Sequence, residues 1–227
     1  MIAAIPFIVL AFVFLVLIIN TLNARLREKH IREASIPPDL VLKIQKKYPN
    51  LARKDALLVV SALRQFFLAY HQSRYQYVSM PSEIVDDLWH EFILYTREYE
   101  QFCKKAFGRF FHHTPAVMLS DNQSSNIGLR RTWYQVCRQE MINPKNPSRL
   151  PLLFAIDGKL NIEDGRRYAL NCGDDSHLNG GSTCCVGDFS NGSSGCTGGD
   201  GSDSGLSDSG SDNGGDSSGC GGGCGGD

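Results

Sequence analysis

Residues 53–71 read RKDALLVVSALRQFFLAYH, and the spacing of their apolar side chains sets the class of fold. Leu57, Leu58, Val60, Leu63, Phe66, Phe67 and Tyr70 recur at intervals of three and four, the period that gathers side chains on one face of an α-helix. Further apolar residues surround the wheel, so this helix is expected to be buried on more than one side, at the centre of a mainly α body. Before it, Pro37 and Pro38 close a polar stretch, and Asp39 opens a helix that ends near Tyr48 and Pro49. After it, Pro81 stands at a first helical turn between Ser79 and Glu83, and a third helix is predicted to run to Phe107, where Gly108 stops it. A fourth covers Leu129 to Ile142, with Leu129, Trp133, Val136 and Cys137 on one stripe, and ends at Asn143, Pro144 and Pro147. Leu152 to Ile156 reads as a short buried strand or as a helix entered at Pro151, with Asp157-Gly158 as a turn signal.

The flanks differ from this middle. Ile2 to Ile19 is an unbroken apolar run of 18 residues, roughly 27 Å long as a helix and therefore long enough for a bilayer core. A cleavable signal peptide would carry a basic residue before the run, a shorter run and a small-residue cleavage site; none is clear here. Arg25, Arg27, Lys29 and Arg32 follow the run and nothing basic precedes it, which predicts a cytoplasmic body and C-terminus. All 23 Lys and Arg lie between Arg25 and Leu170, against 15 Asp and Glu, so the middle is basic although the whole chain is at −1. From Asn171 to Asp227 there are nine Asp, 19 Gly and six Cys, and no Glu, Lys or Arg. Such a segment buries too little apolar surface to offset chain entropy and is expected to be disordered. The expected organisation is a transmembrane anchor at 1–24, a juxtamembrane linker at 25–38, a helical body at 39–172 and a Gly/Cys-rich acidic tail at 173–227. This arrangement excludes one continuous 227-residue fold, a collagen-like repeat and a small disulfide-stapled secreted domain.

Chemistry concentrates on the third helix. Ile84, Val85, Leu88, Phe92, Tyr95, Tyr99, Phe102 and Cys103 share an apolar face, and Asp86, His90, Arg97 and Gln101 form a stripe almost opposite. Asp86 and His90 are one turn apart, so a carboxylate can fix the tautomer of the ring and leave its other nitrogen as ligand or base. A solvated polar face is the plainer account of that pair, which Trp89 at the border of the stripe argues against. A one-residue error of helix phase exchanges Asp86 and Asp87. The loop Gly108-Arg109-Phe110-Phe111-His112-His113 brings a second source of imidazole, and because adjacent side chains diverge, at most one of His112 and His113 joins His90. Asp86, His90 and one of His112 and His113 would suit zinc or a similar divalent ion. The spacing is not that of H-E-x-x-H, since position 94 is Leu94.

Asp86-Asp87-Leu88-Trp89-His90, followed by Tyr99, Cys103, Gly108 and His112-His113-Thr114-Pro115, resembles the core of the glycine-rich domain-containing protein-like family. The stretch from Leu150 to Asp157 is similar to the segment after that core in bacterial members, so the resemblance implies a bacterial, membrane-anchored member and covers about Met80 to Cys172. It implies no defined reaction. Plant members show Trp-His-x-His where this chain has Phe92, which leaves Trp89, His90 and the loop histidines as the matched positions.

Phosphate-binding glycine loops and the G-x-S-x-G elbow are absent from the sequence. Cys103 and Cys137 lie on apolar stripes and read as buried, inert thiols. Lys43, Lys46, Lys47, Arg53 and Lys54 read as a solvated face or an attraction to anionic lipid, with nucleic acid the weakest option. Arg130, Arg131, Arg166 and Arg167 could hold the acidic tail. Cys220 and Cys224 could chelate a soft metal, although a low-complexity tether is the simpler account of the tail, and its cysteines should stay reduced in a cytoplasm. The sequence favours a membrane-tethered helical interaction module that meets the lipid bilayer and a protein partner. The alternative is a metal-dependent enzyme or metal carrier using Asp86, His90 and His112 or His113.

Overall fold

The computed structural model describes residues 5–113, 122–170 and 183–186. Its helices are α1 (Ile5–Glu33), α2 (Pro38–Lys47), α3 (Arg53–Gln72), α4 (Glu83–Leu94), α5 (Thr96–Phe107), α6 (Asn122–Gln139) and α7 (Leu152–Lys159). Two short strands, β1 (Arg167–Ala169) and β2 (Thr183–Cys185), pair in parallel. The mainly α class read from the sequence is the class observed.

Helix α3 is the axis of the body and packs against α1, α2, α4, α6 and α7. Its buried residues run around the wheel, from Ala56 and Val59 through Leu63 to Phe66, Phe67 and Tyr70. Phe66 and Phe67 meet Trp89, Phe92, Phe102, Phe107 and Phe111 at ring-centroid distances of 5.0–6.4 Å. Burying such a ring contributes so much apolar area that truncating Phe67 to alanine would cost about 3–5 kcal/mol. Leu57, expected inside, is exposed on the outer side of the helix.

The helix predicted from Pro81 to Phe107 is two helices. The chain breaks at Tyr95 (φ −81°, ψ 64°), which ends α4 and begins α5. In an unbroken helix Trp89 and Tyr99 would lie about 15 Å apart along the axis. The break folds α5 back, so that Trp89 Nε1 donates to the Tyr99 hydroxyl at 3.1 Å and that hydroxyl donates to the Phe111 carbonyl at 2.6 Å. One buried tyrosine thereby ties both helices to the loop beyond them.

Asp157-Gly158, read as a turn, lies within α7. Asp157 is 1% exposed and its carboxylate is directed at the start of α4. It accepts from Ser82 Oγ (2.6 Å), from the backbone N–H groups of Glu83 (2.7 Å) and Ile84 (3.4 Å), and from Arg166 N–H (2.9 Å). Ser82 in turn caps α4 by accepting from Val85 N–H. A carboxylate against the unsatisfied N–H groups of a helix start is favourable both as hydrogen bonding and against the helix dipole. Gly165 makes the approach possible, because a Cβ there would stand 2.7 Å from that of Asp157. Glu140 has the corresponding place at α7, accepting from Leu152 N–H (2.7 Å) and Gln65 Nε2 (2.9 Å) and pairing with Arg149. Burial raises its carboxyl pKa, but these partners outweigh that and hold it below the usual range.

Residues 25–33, expected as part of a linker, are instead the final turns of α1. They dock on the body: Ile31 is fully buried, and Arg27 Nη1 donates to the Tyr75 hydroxyl (2.8 Å) and to the Phe107 carbonyl (3.0 Å). Toward the N-terminus, among the described residues, the side chains of the same helix from Phe7 to Leu22 stand exposed. Among the described residues, α1 is the helix long and apolar enough to cross a membrane.

The body extends past residue 172. Tyr168 and Ala169 pair with Cys184 and Cys185, and Val186 is buried. The expected tail begins at residue 173; within it, residues 183–185 pair with β1 and Val186 is buried. Cys185 is disulfide-bonded, contrary to the expectation of reduced tail cysteines. The remaining tail, including Cys196, Cys220 and Cys224, lies outside the described residues.

Candidate metal centre

On α4 the face that carries Ile84, Leu88 and Phe92 is buried, and Asp86 and His90 emerge on the other side. Phe111 packs tilted against Trp89 at 4.9 Å and turns the loop so that His113 meets the same indole edge-on, 4.5 Å between centroids. His113 Nε2 is then 2.9 Å from Asp86 Oδ1. A carboxylate only accepts, so the imidazole N–H donates. His90 Nδ1 is 3.8 Å from Asp86 Oδ2, and the two imidazole rings are 4.3 Å apart. One ligand atom from each of Asp86, His90 and His113 falls within 4.8 Å of the others. The side chains of Asp86 and His113 are largely covered, at 21% and 14% exposed, whereas His90 is 51% exposed.

The structure thus resolves which residues the sequence could only group. Of the adjacent histidines, His113 joins the cluster and His112 does not; His112 is exposed and packs on Phe110 at 4.8 Å. Of the adjacent aspartates, Asp86 faces the imidazoles. Asp87 faces α2, accepting from the Tyr48 hydroxyl (2.5 Å) and pairing with Lys47 Nζ (2.5 Å). Burial, and then the Asp87 carboxylate, push the Tyr48 hydroxyl far up. That pair fixes the rotation of α4 and so the direction of Asp86. Thr114 and Pro115, which follow His113, lie outside the described residues.

Asp157 was missed as a positioning residue. It holds the start of α4, one turn from Asp86, and its immediate neighbours carry only a turn signal because its partners on that helix start are more than 70 residues upstream. The two cysteines read as inert are buried, and burial pushes both thiols up, Cys137 to about 12. Neither is a nucleophile at neutral pH.

Two imidazoles and one carboxylate are a donor set suited to zinc or a similar divalent ion, with a tetrahedral position left over. An ion entering here would displace the proton of the His113–Asp86 hydrogen bond and draw the exposed His90 ring inward.

These features define a helical domain with an apolar N-terminal helix and a carboxylate–imidazole cluster on its outer face. The model of the UCP032817-like family, an uncharacterised family, matches residues 26–189, and the chain belongs to that family. The match begins in the docked part of α1 and extends past β2. The narrower likeness to glycine-rich domain-containing proteins rests on the residue pattern alone. No curated protein and no solved structure matches the chain.

Proposed function

We propose that the chain is a single-pass membrane protein whose helical body binds a zinc-like divalent cation between Asp86, His90 and His113. The convergence of these three side chains, from a helix and from a loop 27 residues further on, carries the reading. Trp89 supports it by packing on His113 and limiting its rotation, the part played by outer residues around metal ligands. The sequence alone weighs toward an interaction module; the cluster moves the balance to metal binding. The tethered-module reading draws on the docking of Ile31 and Arg27, which would hold a partner surface at a fixed height above the bilayer.

Zinc titration of the purified full-length chain in detergent tests the first reading. Wild type should take up one equivalent, and His113→Ala and His90→Ala should each lower the affinity at least about tenfold. Absence of binding by wild type at micromolar zinc would remove it. Arg25, Arg27, Lys29 and Arg32 beside the apolar run support placing the body in the cytoplasm. The disulfide at Cys185 supports the opposite side. Blocking free thiols in intact cells before lysis decides: a disulfide at Cys185 that persists there would sink the cytoplasmic placement.

A further inference from the structure

Helix α3 ends in a turn where Tyr75 N–H bonds the Tyr70 carbonyl and Arg74 N–H bonds the His71 carbonyl, both at 3.1 Å. In such a helix ending the residue beyond the cap is left-handed and ordinarily glycine. Here it is Arg74, at φ 54°, followed by Tyr75 at φ 62°. Met141 and Asn161 are left-handed in the same way at the ends of α6 and α7, so the conformation alone assigns the side chain no use; its contacts do. Tyr75 has such contacts: its hydroxyl accepts from Arg27 and meets His71 Nδ1 at 3.0 Å, locking α1 to the body. Arg74 makes no ion pair among the described residues.

Arg74 instead lines an open surface depression of about 450 Å³ with Gln72, Ser73, Arg130, Arg131 and Gln135. Three arginines line it, and among the described residues no acidic side chain does. Arg131 is oriented by donating to the Tyr77 carbonyl, and Arg130 lies over the Tyr134 ring at 5.7 Å. Ser73 is 6% exposed, yet its Oγ has no hydrogen-bond partner among the described residues. A buried hydroxyl is costly when unpartnered, and an acceptor oxygen that displaced the side chains covering it would satisfy it. Planar guanidinium donors with a hydroxyl are a set suited to a phosphate oxyanion.

The cleft also has a defined height. Gln72 Nε2 reaches Glu28 Oε1 on α1 at 3.5 Å, and His71 lies against the Ala24 carbonyl. Gln72, which lines the cleft, is level with Glu28, nine residues beyond Ile19 and about 14 Å along the helix, a height from which an arginine side chain snorkels back to the headgroup phosphates.

We propose that the Ser73–Arg74–Arg130–Arg131 cleft binds a phosphate group, supplied in the membrane by an anionic phospholipid headgroup. The phosphate site stands on the cleft; its lipid source rests on the membrane reading above.

The test uses the full chain in two settings: nanodiscs of phosphatidylcholine with or without phosphatidylglycerol, and detergent with added inorganic phosphate. Melting temperature and the lipid retained in native mass spectra are read. Wild type should retain phosphatidylglycerol and melt higher with it. Arg74→Gly should melt about 2 °C higher than wild type in the absence of anion, because the turn is relieved, yet bind the lipid about tenfold more weakly. Ser73→Ala should fold normally and bind a few-fold more weakly. Lys46→Gln with Lys54→Gln, away from the cleft, should bind as wild type does. Equal lipid retention by wild type and Arg74→Gly overturns the proposal, as does an equal loss in the Lys46/Lys54 variant, which would mark a diffuse charge effect. Stabilisation by inorganic phosphate but not by phosphatidylglycerol overturns the headgroup source. Lipid retention that appears only when the nine tail aspartates are changed to asparagine gives the cleft to the tail and overturns it too. A chain that enters neither nanodisc refutes the anchor instead, and the phosphate titration in detergent then decides the cleft alone.

Discussion

Two carboxylates serve the first turns of α4, and their surroundings have little in common. Asp157 reaches in from α7, is 1% exposed, and has its oxygens occupied by Ser82 Oγ and the N–H groups of Glu83, Ile84 and Arg166. Asp86 belongs to α4 itself, is partly open, and is partnered by two imidazoles. A carboxylate surrounded by fixed backbone donors is part of the scaffold, because no incoming ligand can offer it more. One whose partners are themselves metal ligands can exchange a proton for a cation at little cost to the fold.

Removing the scaffold carboxylate should give the largest effect. Asp157→Ala leaves buried donors at Ser82, Glu83, Ile84 and Arg166 without their acceptor, and chemical denaturation of the full chain should record a loss of about 4 kcal/mol. A loss below about 1 kcal/mol would erase the distinction between the two groups. Gly165→Ala keeps the carboxylate but pushes a methyl against it, 2.7 Å from the Asp157 Cβ, and should cost about 2 kcal/mol in the same measurement. Asp86→Asn should change stability by less than about 0.5 kcal/mol in the presence of chelator. It should also abolish the rise in melting temperature that zinc gives wild type; a zinc response equal to wild type would exclude Asp86 as a ligand.

The smallest effect is one of pH. Burial first, and then Arg27, lower the pKa of His71 from its ordinary 6.5, against raising contributions from the Ala24 carbonyl and Glu28. The folded-state pKa therefore lies below the unfolded one, and the unfolded chain takes up the proton first. The His71 contribution to stability is complete above pH 6.5 and is lost as the pH falls below it toward the folded value. With chelator present, melting temperature should decline from about pH 6.5 toward 5 in wild type, and His71→Gln should flatten that decline. An identical slope in the two proteins would mean that His71 does not govern this window.

Much of the body was legible because helical period and proline punctuation are local. Helix α2 begins at Pro38, and α3 spans Arg53–Gln72, as the pattern of Leu63, Phe66, Phe67 and Tyr70 indicates. The stripe of Leu129, Trp133, Val136 and Cys137 is buried as read. What escaped was set by distant partners. No glycine or proline marks the break at Tyr95; it is held by Tyr99 meeting Trp89 and Phe111. Nothing beside Asp157-Gly158 reveals that the aspartate is needed at Ser82, 75 residues away. The candidate ligands were visible as residue types, but their selection was not. Asp86 was separated from Asp87 by Tyr48 and Lys47, and His113 from His112 by the packing of Phe111 and His113 on Trp89. A sequence shows which groups are on offer, and a one-residue choice of phase needs the neighbours that only folding supplies.

Helix α1 runs without interruption from its apolar end to Glu33, with Ile31 and Arg27 seated in the body. In the anchored arrangement it is a rigid mast with no swivel at its foot. A thicker or thinner bilayer changes the tilt of a spanning helix. Such a lean would swing the whole body with it, lowering one flank toward the lipid and lifting the other, so that bilayer thickness would be felt at the imidazole cluster as a change of angle.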